Sequence, residues 1–501
     1  MNMNETPKTK SGWRIPRRIL ITLAILATLI AIFYAEEDWR GNRAWENYRR
    51  EGEASGGKFD WQAFAPPSVP DDQNFFLAPI FTNLSTGKLT MSITRSDGSY
   101  PDHYQPAYWA KATMTDLKAW QTYYRNPANP SQAKEFPVAP QPQTLAADVS
   151  LALSKYDSAI DELRQASQRP CSNVQLNYEN GFEALSPLLE DLAALKRCSQ
   201  VLQLRAIAEL ADGQSAKALD DVKLMLRLND SIRSSPFLIS HLVRMAIASI
   251  AMQPIWEGLA EHKWSDEQLV ALDAELAKLD FLADYEFAMR GELAFAIGSF
   301  ENQRRTREMI VLKPGGNSAP NKPVIVSLRF MPSAYFYQNE LAFAQVQQQW
   351  ILPLVDVKAR IVSPEAARRA EDAVRAERKH YSPYKALALM AFPALEKAVV
   401  KFAFAQASVD LARVACASER HRLAHGAYPE TLDALVPQFI EKLPHDIIGG
   451  QPLHYRREAD GRFVLYSVGW NETDDGGQVA FKKDGSVDRE KGDWVWQYPL
   501  K

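Results

Sequence analysis

The residues that could carry chemistry in this chain are few and scattered. The densest group lies near the C-terminus. There Asn471, Thr473, Asp475 and Gly476 fill positions 1, 3, 5 and 6 of an EF-hand-like loop, and Asp474, Asp484 and Asp488 add hard oxygen donors. Position 12 is Lys482 rather than Glu, and Tyr466-Ser467-Val468-Gly469 just before the loop reads as a strand, so a true EF-hand is excluded. The plain alternative is a set of turn residues bonded to their own backbone. His421 and His425 are four apart on one helical face, as two metal ligands would be. Arg420 and Arg422 beside them disfavour a cation, and Arg422 stands where a zinc-protease helix needs Glu, so they read as surface or capping histidines. Ser85-Thr86-Gly87-Lys88-Leu89 lacks the earlier glycine and the final Ser/Thr of a phosphate loop and reads as a turn. Two readings of Cys171 and Cys198 stand side by side: a bridge between neighbouring helices in an oxidising compartment, or buried thiols like Cys416. No G-x-S-x-G, G-x-G-x-x-G or C-x-x-C occurs, and no catalytic residue is expected.

The elements that must position these residues begin with an asymmetry of charge. The chain has 501 residues, with 58 basic against 61 acidic side chains and net charge −3, which removes any general argument for nucleic-acid binding. With 46% hydrophobic and 24% charged residues it is neither a disordered tail, a collagen-like chain nor a disulfide scaffold. The first 18 residues carry Lys8, Lys10, Arg14, Arg17 and Arg18 against Glu5 alone, a tail of +4 that leaves −7 on the other 483. Residues 19–35 follow without a charge, and only Thr22, Thr28 and Tyr34 carry a polar side-chain atom. As a helix they would span about 26 Å, near the ~30 Å of a hydrocarbon core. Trp13, Tyr34 and Trp39 flank them as interfacial anchors, and Glu36, Glu37 and Asp38 stand beyond. The positive-inside rule keeps the N-terminus cytoplasmic and places the bulk outside, as in a single-pass protein of the bacterial inner membrane with a periplasmic body. A cleaved signal peptide fits less well. The apolar run is long, and bulky Phe33 stands where a cut after Ala35 needs a small residue.

Beyond the tail (1–18) and the span (19–35), residues 36–65 read as a polar helical stalk. Residues 66–143 form a different segment: 11 of the chain's 30 prolines fall within 66–142, with Phe75, Phe76, Phe81, Trp109, Trp120 and Tyr124 among interleaved aromatics. Prolines that dense forbid long helices, and that many aromatics exclude a free linker, so an irregular segment packed on a helical body is expected. Residues 144–392 are that body, an array of paired antiparallel helices. Residues 204–230 resemble one tetratricopeptide-type hairpin turning at Gly213, without a second copy. Ser265 and Gln268 supply a capping box. Residues 312–323 are rich in Gly, Pro and Asn and read as a loop, and a second helical stretch follows from 333 to 379.

The last unit, 393–501, starts with a helix predicted over 393–424 with Pro393 at its first position. Strands are predicted over 452–456, 462–468 and 478–481, with turns at Asp460-Gly461 and Asp484-Gly485. The order is a long helix, Gly426-Ala427-Tyr428-Pro429, Leu435-Val436-Pro437, Leu443-Pro444-His445-Asp446, Gly450-Gln451-Pro452-Leu453-His454-Tyr455 and the Tyr466–Gly469 strand before an Asp/Gly-rich loop. This series resembles the C-terminal domain of type II secretion major pseudopilins. The resemblance implies an α+β module and a Ca2+ loop drawn from Asn471, Thr473, Asp474, Asp475, Asp484 and Asp488. Three departures argue against assembly into a pilus. Arg17-Arg18-Ile19 replaces a prepilin processing site, the module lies far from the membrane span, and Ile447 rather than Pro follows Asp446. The overall layout, including residues 45–53 and 66–76, also resembles single-pass membrane-anchored bacterial proteins, a likeness that brings no activity with it.

The expected fold is therefore mainly α: an N-terminal transmembrane helix, a multi-helix body and a small C-terminal α+β module. The expected function is non-enzymatic, that of an interaction or scaffold protein of the bacterial envelope, secretion-related by its resemblance. It would meet the lipid bilayer through residues 19–35 and an envelope protein through helical grooves or the aromatic-rich 66–142 surface. The alternative is an extracytoplasmic hydrolase whose site is assembled from distant residues.

Overall fold

The computed structural model describes residues 14–101, 109–174, 176, 185–307, 310–312, 324–326, 331–379 and 382–499. Lys8, Lys10, Trp13, Tyr104, Tyr108 and all but the first residue of the 312–323 loop lie outside the described residues.

The first helix, α1 (Arg14–Ala54), changes character along its length. Its apolar stretch is exposed on every side, with Ile19 at 55% and Phe33 at 53%. Past Asp38 the same helix is docked on the protein. The Asp38 carboxylate accepts the backbone N–H of Ala334 at 2.6 Å, in the first turn of α11 (Ser333–Val346). Gly41 lets the two backbones approach, since a Cβ there would meet Ala334 Cα at 3.2 Å. Trp45 is buried, with Phe59 edge-on at 5.8 Å. Helical propensity does carry the apolar helix on to Ala54, but the result is not a free stalk: Trp45, Phe59, Trp61 and Phe64 are core residues.

Prolines keep the next segment in short pieces, among them α2 (Pro79–Ser85) and α3 (Leu117–Arg125). Most of its described aromatics turn inward. Phe75, Phe76 and Phe81 pack at 4.7 to 5.4 Å, and Trp120, Tyr124 and Phe136 form a second cluster. These rings are spent on the core, whereas Tyr100 is 49% exposed.

The body follows as α4 (Leu145–Leu153), α5 (Asp157–Ser167), α6 (Leu185–Ala211), α7 (Ser215–Ser231), α8 (Leu238–Ala260), α9 (Asp266–Leu276) and α10 (Phe281–Thr306). Helices α6, α7 and α8 pack on one another, and Gly213 makes the α6–α7 turn at φ +76°, where a side chain would be strained. Ser265 caps α9 with both bonds of the capping box. Helix α8 is long and apolar enough to cross a membrane, yet 67% of its apolar window is buried. It is the central core helix, and its Arg244 is buried in an ion pair with Asp284 of α10.

The remaining elements are β1 (Ile310–Leu312) paired with β2 (Val324–Val326), α11, the hairpin β3 (Val355–Asp356) and β4 (Ile361–Val362), α12 (Pro364–Lys379) and α13 (Ala386–His425). The hairpin interrupts what the sequence predicts as one helical stretch over 333–379. Helix α13 starts seven residues before Pro393, which falls inside the helix rather than at its first position. Gly426 closes it at φ +80°. Against α13 packs an antiparallel sheet in the order β5 (His454–Arg457), β6 (Phe463–Ser467), β9 (Trp494–Trp496), with Tyr466 opposite Val495. A separate hairpin, β7 (Val479–Phe481) and β8 (Val487–Gly492), lies between β6 and β9 in sequence.

Candidate functional site

Trp109 joins the irregular segment to both halves of the molecule. Its backbone N–H donates to Gln253 Oε1 at 2.6 Å and its indole N–H to the Ser249 carbonyl at 3.1 Å, which pins it on α8. Gln253 also donates to Glu257, whose carboxylate accepts from the Thr115 backbone N–H and hydroxyl. The indole then stacks on Phe404 of α13 at 6.0 Å and 19°, and lies 5.9 Å from Trp496 of β9. Phe404 in turn carries the guanidinium of Arg489, from β8, at 4.8 Å from its ring centre.

Around this stack the body, α13 and the β7–β8 hairpin leave a two-part cleft. One part, about 320 Å³, has walls from Leu242, Met245, Ile250 and Met252 of α8 and from Ala405 and Ser408 of α13. The other, about 550 Å³, runs along Lys397, Val400, Lys482, Ser486, Val487 and Glu490. Trp109, Ser249, Lys401, Phe404 and Arg489 line both and mark the junction. Cations dominate: Lys196 stands at the apolar end, Lys401 and Arg489 at the junction, and Lys111, Lys397 and Lys482 at the far end, against Glu490 alone. Arg489 keeps solvent exposure, and partial desolvation draws its pKa below its ordinary value. Such a cleft can hold an anion beside an apolar surface. Among its described lining residues it has no His or Cys and no pair of carboxylates for acid–base work.

The residues singled out from sequence lie elsewhere. Asn471, Thr473, Asp474 and Asp475 share the loop after β6, whereas Asp484 and Asp488 sit on the β7–β8 hairpin. Their oxygens are engaged locally. Asp474 accepts from the Tyr466 hydroxyl at 3.0 Å and the Gly476 N–H at 2.9 Å, and its other oxygen lies 3.3 Å from His454 Nδ1. Asp475 accepts from the Asn471 amide, and the Thr473 N–H donates to Asn471. Asp484 accepts from Ser486, and Asp488 from the Glu490 N–H. Among the described residues no group of three or more His, Cys, Asp or Glu converges as metal ligands would. The loop is held by Asp493, which accepts from the Asp475 and Gly477 N–H groups.

His421 and His425 stack at 4.3 Å, each with Nδ1 on a backbone carbonyl, of Ala427 and of His421 respectively, so they finish the end of α13. Ser85 to Leu89 form the turn that ends α2, with Gly87 at φ +74°. All three cysteines are free thiols; Cys198 is buried beside Met91, and burial raises its pKa to about 12. Sequence reasoning missed Trp109, Lys401, Phe404 and Arg489 as a group. The one signal available was Lys397 and Lys401, four apart in a largely apolar stretch that also holds Glu396.

The fold and cleft define a mainly helical protein with an N-terminal apolar helix and a small C-terminal sheet region. Compared with known proteins, the chain matches no protein-family model, no curated protein and no solved structure.

Proposed function

We propose that the chain is a single-pass membrane-anchored protein of the bacterial envelope, with a cytoplasmic N-terminus and an extracytoplasmic body that acts by binding rather than by catalysis. The observation that carries the reading is the division of α1. Residues 19–35 expose apolar side chains on every side, while Asp38, Gly41 and Trp45 of the same helix are fixed to the body. An apolar surface of that extent needs a cover, and a helix apolar all round over that length fits a hydrocarbon core. Docking past Asp38 would then hold the body in one orientation at the membrane surface.

The pseudopilin-like reading of the C-terminal module is supported by a long helix packed against a three-stranded antiparallel sheet. Its role would be that of an interaction module of the envelope, secretion-related by that likeness. The chemistry of the cleft favours binding over the hydrolase alternative, since its described lining residues bring cations and aromatics together without an acid–base pair. Carbonate extraction tests the anchor. The native chain is expected to stay with the membrane pellet and the Ile25→Arg/Leu29→Arg chain to be released, because each buried arginine costs about 3 kcal/mol at mid-bilayer. Release of the native chain by carbonate would overturn the reading.

A further inference from the structure

The two parts of the cleft differ in chemistry, and the difference defines a ligand. One end is apolar, walled by Leu242, Met245, Ile250 and Met252. The junction carries Lys401 and Arg489, and Lys397 and Lys482 lie beyond it. The charge is unmatched at the junction rather than along the whole cleft: Lys397 lies near Glu396 and Lys482 near Asp484, whereas Lys401 and Arg489 make no close ion pair among the described residues. Arg489 is the sharpest case. Its guanidinium lies over the Phe404 ring while the side chain keeps solvent exposure, so it can meet an anion entering the cleft. An inorganic anion would supply the charge and leave the apolar end unfilled; an uncharged apolar compound would do the reverse.

We propose that this cleft binds an amphiphilic anion, its carboxylate or phosphate head held by Arg489 and Lys401 and its apolar body seated against Trp109, Phe404 and Met245. The parts measure about 320 and 550 Å³, within the range of small-molecule sites. Trp109 is fixed from two sides by Gln253 and Ser249, so its face is formed before the ligand arrives. The inference does not depend on the membrane anchor.

The test is titration calorimetry of the full chain in phosphatidylcholine nanodiscs, with empty discs subtracted. The probes are octyl phosphate, octanoate, octanol and inorganic phosphate. The expected result is saturable binding of octyl phosphate or octanoate, the tighter of the two identifying the preferred head, with octanol and inorganic phosphate at least about tenfold weaker. Arg489→Gln and Lys401→Gln should each weaken the favoured probe by about tenfold or more. Lys401 is exposed, so its variant tests the site without disturbing the core. The proposal is overturned if neither amphiphile binds saturably, if inorganic phosphate binds as tightly as octyl phosphate, or if both variants bind like the native chain.

Discussion

Replacing Trp45 by alanine should release the second half of α1 from the body while leaving the rest folded. The indole is 1% exposed and packs edge-on to Phe59 at 5.8 Å and against Tyr48 at 6.3 Å. Truncating a buried Trp or Phe costs about 3–5 kcal/mol. The lower figure is used, because the junction keeps other contacts: the bond from Asp38 to the Ala334 N–H, the close approach at Gly41 and the hydrogen bond between Glu37 and Tyr384. About 3 kcal/mol is more than a hundredfold in the local opening equilibrium. Native-state hydrogen exchange of the full chain in nanodiscs reads this directly: amides of residues 36–54 should lose protection by that factor, while α6 to α8 keep theirs. Trp39 is the control, six residues earlier on the same helix and 62% exposed. Trp39→Ala should change exchange by less than about 0.5 kcal/mol. Equal protection of 36–54 in Trp45→Ala and native protein would refute the docking, as would a loss of protection spread evenly over α6 to α8.

Other perturbations test the packing and its charges. Gly291→Ala in α10 places a Cβ 2.0 Å from the Pro236 carbonyl oxygen. The gain of about 1 kcal/mol in helix propensity should be outweighed by overpacking of about 1–3 kcal/mol, seen as a lowered Tm; an unchanged Tm would contradict the contact. Glu340 of α11 is fully buried, and neither of its oxygens has a hydrogen-bond partner among the described residues. Burial, then the nearby Glu301, raise its pKa to about 8, with Arg304 and Arg49 opposing. A carboxyl raised in the folded state contributes stability at low pH that is lost as pH climbs from about 4.5 to about 8. Glu340→Gln should therefore raise the Tm more at about pH 8.5 than at about pH 5, and an equal effect at both would sink the assignment. For the 471–488 region, carboxylates already bonded to protein donors predict no change in Tm when EGTA is added. A fall in Tm under chelation that disappears in Asp475→Ala would instead establish the Ca2+ loop.

Local signals carried much of this fold, and the site was beyond their reach. Periodicity and caps located the helices where the deciding interaction is near in sequence, as with Ser265 and Gln268 at α9 or Gly426 after α13. Turn chemistry placed Asp460-Gly461 between β5 and β6 and Asp484-Gly485 between β7 and β8. Strands β8 and β9 escaped because Val487–Gly492 is largely charged and Trp494–Trp496 is three residues long; pairing with distant partners makes them strands. The inward turn of most described aromatics in 66–142 was half legible, since prolines announce an irregular segment but not which face it presents. The cleft was not legible at all. Trp109, Lys401 and Arg489 are each ordinary where they stand in sequence, and only the stack of Trp109 and Phe404, closed by β8, makes them one site.

The most direct test of the central claim, a body held outside the membrane by the first helix, is an alkaline phosphatase fusion to the C-terminus of the full chain in a bacterial host. The enzyme folds to an active form only in an oxidising compartment. High activity, lost when Ile25→Arg/Leu29→Arg disables the span, is the predicted result; an inactive fusion with the native chain intact in the membrane would contradict it.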